Sequence, residues 1–365
     1  MKRVLCLISS MNAGGAETFL MKIYRTIDRS VYQMDFCINV YDKCFYEDEI
    51  TELGGQIYRI PSKSSSAKKF KAQLAYLIKK NQYEYVLRVA SNAAGFMDLK
   101  IAHKAGARIC AARSSNSSDG KSLRYLIAHK IGGFLYGRYV NVKIAPSDLA
   151  AKYTFGRRSY KNREVKILHN ALDLNVYKYN ETMRKNIRAE FGIAECITVL
   201  GNVGRFMPQK NHNFLLEIFA KYIKMNENSV LMLVGGGELE TAIKEKAEKF
   251  GILNKIIFTD VRSDVPALLS AMDVFVFPSL YEGMPNTVIE AQATGLPCLI
   301  ANTITREADI TGLVHYLPLG DAGIWAEHIA QLPQVIRETP IQKFKKNCYD
   351  IETVAEQFVR LIFCE

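Results

Sequence analysis

The sequence predicts an α/β protein of two domains, each built on a parallel sheet with crossover helices. Two observations carry this. Short apolar runs of strand character alternate with stretches of helical periodicity, first over residues 2–168 and again over 197–317. Such alternation marks parallel strands joined by helices. The chain also has 365 residues, too many for one ordinary core, so two domains are expected.

In the first half, Lys2–Ser10 reads as a strand, Asn12 to Gly15 as a turn and Ala16–Ile27 as a helix. The glycine pair there allows close approach of the backbone to a ligand or to the other domain, or simply a tight turn. It is not G-x-G-x-x-G, so the dinucleotide fingerprint is absent. Met34–Asn39, Gln56–Ile60, Tyr85–Val89, Ala107–Ala112, Lys143–Pro146 and Val165–Leu168 read as strands, and Phe70–Lys80 and Asp98–Lys104 as helices. Ser62–Lys71 is expected to be a polar, basic loop leading into a helix, with Ser114–Lys121 a second polar loop. Ser122–Tyr139 has Leu123, Leu126, Ile127, Ile131, Phe134 and Leu135 at helical spacing, with Lys121, Arg124, Lys130 and Arg138 between them. The plain expectation is a helix packed on its own sheet with a solvated basic rim; contact with a membrane or an acceptor is the alternative.

Glu181–Phe191 is a helical linker into the second half. Ile197–Val203 is a strand, followed by a turn at Gly204 carrying Arg205, Lys210 and Asn211, then a helix over Asn213–Met225. Two cations on a strand-to-helix loop can neutralise a diphosphate, Arg by a forked contact and Lys as a point charge; in isolation such a loop is more often basic surface. Val230–Val234 leads into Gly235-Gly236-Gly237. The Lys-Ser/Thr ending of a P-loop is missing, so ATP binding by that route is unsupported. Ile256–Phe258, Cys298–Ile300 and Val314–Leu317 complete the strands, Asp264–Met272 reads as a helix, and Ile351–Phe363 is a last helix with Val354, Phe358 and Leu361 as its stripe.

The densest chemistry lies in Tyr281–Pro297. A strand, Val274–Phe277, stops at Pro278, and a helix capped by Thr287 or Asn286 runs to about Thr294. Glu282 precedes the helix N-terminus and Glu290 lies about one turn inside it. Free N–H groups and partial positive charge at that N-terminus suit a phosphate. A carboxylate on either side suits the hydroxyls of a sugar nucleotide.

This stretch resembles the E-x7-E signature of retaining glycosyltransferases of the GT-B fold, the group 1 type of glycosyltransferase family 4. The likeness extends through residues 10–23, 201–219 and 233–240 and looks nearest to bacterial capsule and exopolysaccharide transferases. It implies two Rossmann-like domains facing a central cleft: residues 1–172 on the acceptor side, joined by a crossover helix at 351–365, and residues 173–350 binding the donor. It implies donor contacts at Gly15, Arg205, Lys210, Val261, Glu282, Gly283, Met284, Pro285, Asn286, Thr287 and Glu290. Glu290 would hold the ribose, Glu282 the transferred sugar, and Arg205 and Lys210 the departing diphosphate, making Arg205, Lys210 and Glu282 the catalytic set. Acceptor contacts fall on Asn92, Arg113 and Asn116, although this chain has Arg88 to Asn92 and Arg113 to Asn116 where many relatives carry His. His169 to Asp173 resembles the family's interdomain Asn-Gly-x-Asp segment, with Ala171 where Gly is usual. The implied donor is a nucleotide-sugar, by resemblance a uridine one, and the implied acceptor a glycan or lipid-linked sugar.

Composition narrows the remaining classes. Of 48 basic and 37 acidic side chains, residues 1–170 hold 29 and 13, a net of +16; the other 19 and 24 give −5. Such asymmetry suggests that one domain faces an anionic partner. No apolar stretch could span a bilayer, and the Val4–Ile8 run is too short for a signal peptide. On charge alone nucleic acid, an anionic membrane and a phosphorylated acceptor all remain open; the resemblance, whose members add sugars to lipid-linked or cell-surface glycans, implies an anionic membrane surface as the partner, reached peripherally from the cytoplasm. No nucleic-acid partner is expected, for want of a binding motif. The eight cysteines show no metal spacing; Cys6, Cys37, Cys110 and Cys298 are expected to be buried thiols, and neither metal nor cofactor is expected. A sugar-nucleotide epimerase of the same fold stays open, while a phosphorylase would need a longer chain. A two-carboxylate glycosidase is disfavoured, because the cation pair and helix terminus suit phosphate.

Overall fold

Parallel pairing organises the whole molecule. A computed structural model of the chain describes residues 1–12, 14–115, 123–333 and 337–363, the side chains of 123 and 124 apart. Asn116 and Lys121 lie outside the described residues. The strands are β1 Lys2–Leu7, β2 Tyr32–Ile38, β3 Ile57–Arg59, β4 Tyr85–Ala90, β5 Ile109–Ser114, β6 Val142–Ala145 and β7 Val165–Ile167, then β8 Thr198–Val203, β9 Ser229–Val234, β10 Ile256–Phe258, β11 Val274–Phe277, β12 Cys298–Ala301 and β13 Val314–Leu317. They form a seven-stranded sheet, β3-β2-β1-β4-β5-β6-β7, and a six-stranded one, β10-β9-β8-β11-β12-β13.

The chain divides into two compact units, Met1–Ala171 with the stretch from Cys348 onward, and Leu172–Asn347. Each has its own core, which is why strands such as β11, VFVF, are buried along their whole length. In the first unit the Ile351–Phe363 helix packs with Val354, Phe358 and Ile362 among the residues beneath the sheet. The four thiols Cys6, Cys37, Cys110 and Cys298 are buried and free.

Two sequence expectations fail for physical reasons. Residues 63–71 are not a loop. Ser62 accepts a hydrogen bond from Ser65 N and caps a helix over Lys63–Lys80, with non-helical backbone at Ser66. Its apolar face is Phe70, Leu74, Leu77 and Ile78, as the spacing suggests.

The second failure is the Leu123–Tyr136 helix. Its large apolar side chains point outward: Leu126, Ile127, Ile131, Phe134 and Leu135 are all exposed. Gly132 explains this. A Cβ there would sit 2.5 Å from Ala93 O, so the helix lays its small-residue face directly on the turn at 93–95. Bulky residues are left on the far side. The 148–161 helix, capped by Ser147, was not anticipated by the apolar pattern.

Candidate active site

The second unit gathers the predicted donor residues at the carboxyl ends of its strands. β8 and β11 are neighbours, and from them the sheet runs outward in opposite directions. Such a switch point opens a crevice between the loops that leave the two strands.

After β8 the chain passes the exposed Arg205 and the buried Phe206, then a short turn at Pro208–Lys210. Asn211 adopts a left-handed conformation (φ 56°), which redirects the chain into the His212–Tyr222 helix. Three hydrogen bonds tie this loop to the one after β11. Asn211 Nδ2 donates to Pro278 O (3.2 Å), Gln209 Nε2 to Tyr281 O (2.8 Å), and Leu280 N to Gln209 O (2.9 Å). Lys210 Nζ therefore reaches Glu282 Oε1 at 2.8 Å, and Ser279 Oγ donates to the same oxygen at 2.8 Å. The ammonium also lies 4.7 Å from the centre of the Phe277 ring. Both charged side chains are largely enclosed, 17% and 10% accessible. Lys210 and Arg205 thus differ: one is part of a packed ion pair, the other is an exposed cation with no partner among the described residues.

The glycine run after β9 supports the Arg205 turn. Gly235 has φ +136°, and a Cβ there would fall 2.2 Å from Gly204 O; at Gly237 (φ +159°) it would fall 2.5 Å from Phe206 O. Phe206 N donates to Gly236 O, and Gly235 N to Asp260 O. The Gly235 N–H is thereby engaged within the protein. Val261 follows on the next loop, highly exposed.

The Asn286–Ala293 helix begins differently from expectation. Pro285 occupies the N-cap position, with no side-chain cap, and Asn286 and Thr287 lie in the first turn. Pro285 carries no side-chain acceptor, so no side chain caps this helix, and the Pro285 carbonyl accepts from Val288 N at 3.0 Å. Thr287 Oγ1 is buried with no hydrogen-bond partner among the described residues. Gly283 and Met284 are half-buried in the loop before it. Glu290 is hydrogen-bonded by the Tyr177 phenol, whose pKa is pushed up by burial and then by the Glu290 charge. Tyr177 sits at the end of the short Leu174–Tyr177 helix, which Asp173 caps, so the His169–Asp173 signature delivers it.

His212 was overlooked. Its ring packs edge-on against Phe206 at 4.8 Å, neither ring nitrogen has a hydrogen bond among the described residues, and burial, then the Lys210 charge, pushes its pKa down to about 4. A His directly after the Lys210-Asn211 turn was the available signal.

Three predicted residues belong to the first unit. Gly15 opens the Gly15–Thr26 helix, and a Cβ there would meet nothing within 4 Å. Asn92 is buried and uses its side-chain oxygen to accept from Ala94 N. Arg113 is buried, with its guanidinium 3.6 Å over the Phe19 ring and Nη2 donating to Asn170 Oδ1 at 2.6 Å. It has no carboxylate partner among the described residues, and burial pushes its pKa down to about 9.

Residues 197–334, which hold all the second-unit site residues except Tyr177, match the family model "Glycosyl transferases group 1". EpsF of Bacillus subtilis (strain 168), named as a glycosyltransferase, is 34% identical over 336 residues, covering 90% of this chain and 87% of that one. The chain belongs to the group 1 glycosyltransferases. The transferase is also 37% identical over 145 residues to the Escherichia coli UDP-Gal:alpha-D-GlcNAc-diphosphoundecaprenol alpha-1,3-galactosyltransferase, covering 38% of this chain and 37% of that one. Its fold matches that of Anabaena Alr3699/HepE, solved with UDP and glucose, at a TM-score of 0.74 over all of both chains and 17% identity. It is thus a glycosyltransferase of GT-B fold. Among the described residues, no group of three potential metal ligands clusters and no helix is long and apolar enough to cross a membrane.

Proposed function

We propose that this transferase moves a hexose from a UDP-sugar to a lipid-linked or growing glycan acceptor in capsule or exopolysaccharide biosynthesis, with retention and without a metal. The observation that carries this is the Lys210–Glu282 pair at 2.8 Å in the loop before the Asn286–Ala293 helix, whose N-terminus has no side-chain cap. The helix N–H groups and Lys210 hold the diphosphate, Arg205 reaches it from solvent, and Glu290, oriented by Tyr177, takes the ribose. As the bond from the anomeric carbon to the phosphate oxygen breaks, negative charge grows on the phosphate, and these cations stabilise it. The acceptor oxygen attacks from the side of the leaving group and gives its proton to a phosphate oxygen. Glu282 suits a sugar-holding role better than a nucleophilic one, because one of its oxygens already accepts from Lys210 and Ser279.

Transfer assays with a panel of nucleotide-sugars, with and without a chelator, test this. The expected result is turnover with a UDP-sugar, unchanged by chelation, and an α product seen by NMR from an α donor. An inverted product or loss of turnover on chelation would overturn the retaining or the metal-free assignment.

We propose further that the enzyme works peripherally at the cytoplasmic face of the membrane. The net +16 of residues 1–170 and the outward apolar face of the Leu123–Tyr136 helix support this. Each Lys or Arg near an anionic leaflet contributes about 1 kcal/mol, and buried apolar side chains add to it. Co-sedimentation with anionic vesicles at low salt is expected, with release at high salt. No co-sedimentation would refute the membrane assignment alone.

A further inference from the structure

The helix that offers its amino end to the donor is held from its other end, by a residue beyond the matched family region. The Asn286–Ala293 helix has 8 residues, too few to be stable alone in water. No side chain caps its amino end, so its aim depends on what holds the rest of it. Gln292, fully buried, ties one side to the loop after β12. Its Nε2 donates to Ala308 O at 2.7 Å, and its Oε1 accepts from Ile310 N at 3.0 Å and from Thr311 Oγ1 at 2.9 Å. Arg337 holds the carboxyl end. Its Nε and Nη2 donate to the carbonyl of the C-cap residue Thr294 at 3.2 and 2.9 Å, and Nη2 also reaches Thr294 Oγ1 at 2.9 Å. A Cβ on Gly295 (φ +69°) would fall 2.6 Å from Glu338 O, so residues 337–338 lie directly against the turn that ends the donor helix. The family match stops at residue 334 and does not include them.

The other side of the same guanidinium holds a second helix end. Nη1 donates to Ser270 O at 2.8 Å and to Met272 O at 2.7 Å, and Nη2 to Leu269 O at 3.0 Å, all at the carboxyl end of the Val265–Ala271 helix. The Tyr179 ring centre lies 4.5 Å from the guanidinium carbon. Every guanidinium nitrogen is engaged, and the acceptors are carbonyls and one hydroxyl, not carboxylates. A rigid planar fork can bridge two helix ends in this way; a lysine ammonium, a point charge, cannot. The cation also faces the negative ends of two helix dipoles. Arg184 donates to the same Ser270 and Met272 carbonyls, each at 3.3 Å, and pairs with Asp273 at 2.8 Å. The Val265–Ala271 end thus has two arginines. At Thr294, Arg337 is the one side chain among the described residues that donates.

We infer that Arg337 is a positioning residue for the donor. It fixes the carboxyl end of the Asn286–Ala293 helix against the Val265–Ala271 helix, so that the amino end, about 12 Å away, stays aimed at the diphosphate. Without the fork the helix is free to pivot about Gln292. Glu290 lies close to that pivot and moves little, whereas the amino end moves most. The loss therefore falls on the phosphate contacts more than on the ribose. This inference rests on the placement of the diphosphate at that helix and adds a residue that never touches the donor.

A merely stabilising Arg337 would lower the melting temperature and leave the ligand affinities of the folded protein alone. The test therefore compares ligands in folded protein. The full chain, Arg337→Met and Arg337→Lys are studied below their unfolding temperatures, with the buried Trp325 reporting the folded state. UDP binding is measured by calorimetry and uridine binding by NMR titration, which reads weak association. Arg337→Met should fold, because Arg184 still holds the Val265–Ala271 end. It is expected to weaken UDP at least ~10-fold, the scale of one charged hydrogen bond, and uridine less than ~3-fold. Arg337→Lys keeps the charge without the fork and is expected to weaken UDP by ~3-fold or more, again more than uridine. Wild-type UDP affinity in the folded variants overturns the inference, and so does an equal loss for UDP and uridine, which would mean a general distortion of the site. Should Arg337→Met fail to fold, Arg337→Lys decides by the same two comparisons. If wild type binds UDP and the folded variants bind it equally well, this inference alone falls. If wild type does not bind UDP, the donor reading falls first.

Discussion

Removing the Lys210 ammonium should do two measurable things, and the structure sets the size of one of them. Lys210→Met keeps most of the side-chain volume and deletes the charge. Two unit charges 2.8 Å apart attract by roughly 6 kcal/mol at an effective dielectric of about 20, before desolvation is subtracted. Breaking a fully buried pair by deleting one member costs about 3–5 kcal/mol. Here the partners retain 17% and 10% exposure and Ser279 still holds Glu282, so a loss of about 2–3 kcal/mol in folding stability is expected. Glu282→Gln preserves shape and should cost about 1 kcal/mol. If the ion pair is real, the double variant loses less than the sum, with a coupling of about 1–2 kcal/mol. The chain's single tryptophan, Trp325, lies buried against Phe214 in the second unit, so its fluorescence during urea unfolding reads the stability of the unit in question. Turnover of folded Lys210→Met should fall ~100-fold, the scale of one lost charge contact in the transition state. Additive single effects within ~0.5 kcal/mol would refute the pair, and near-normal turnover in the folded variant would refute the diphosphate role.

Arg205→Ala offers the contrast: the side chain is exposed, so the melting temperature should hold while turnover drops ~100-fold, and a matching loss of stability would show that Arg205 is structural. Glu290→Gln should weaken binding of the nucleoside diphosphate alone, whereas Glu282→Gln should change it little and reduce transfer; calorimetry showing equal losses would reverse or void the two roles. His212 has its ordinary pKa of 6.5 when unfolded and about 4 when folded, so the folded state binds fewer protons between those values. Its contribution is intact above pH 6.5 and is lost as pH falls towards 4, by about 3 kcal/mol at most. His212→Leu should flatten the fall in urea midpoint between pH 7 and 4.5, and an unchanged slope would remove His212 from the account. Gly235→Ala would bring a Cβ to 2.2 Å from Gly204 O at φ +136°, so several kcal/mol of destabilisation and loss of donor binding are expected; a wild-type melting curve would show that the two loops do not pack as described.

What the sequence determined by itself was the order of elements and the loops on which the candidate residues sit. Apolar runs such as Val274–Phe277 are fully buried because both faces of a parallel strand are covered, and that leaves an unbroken signal of four hydrophobic residues. Glu282, Glu290, Arg205 and Lys210 were visible because they flank strand ends and a helix start, where local spacing fixes position. The tertiary structure decided everything that depends on a partner distant in sequence. Lys210 and Glu282 are 72 residues apart, and only the hydrogen bonds between their loops make one the counter-charge of the other. The Tyr177 contact to Glu290 and the burial of His212 without a hydrogen bond among the described residues likewise arise where separate segments meet. The Leu123–Tyr136 helix shows the limit most plainly. Periodicity reports that a helix has an apolar face but not which way it points. Here the close approach of Gly132 to Ala93 O turned that face outward, because backbone contact at a glycine fixes the helix rotation before the larger side chains are placed.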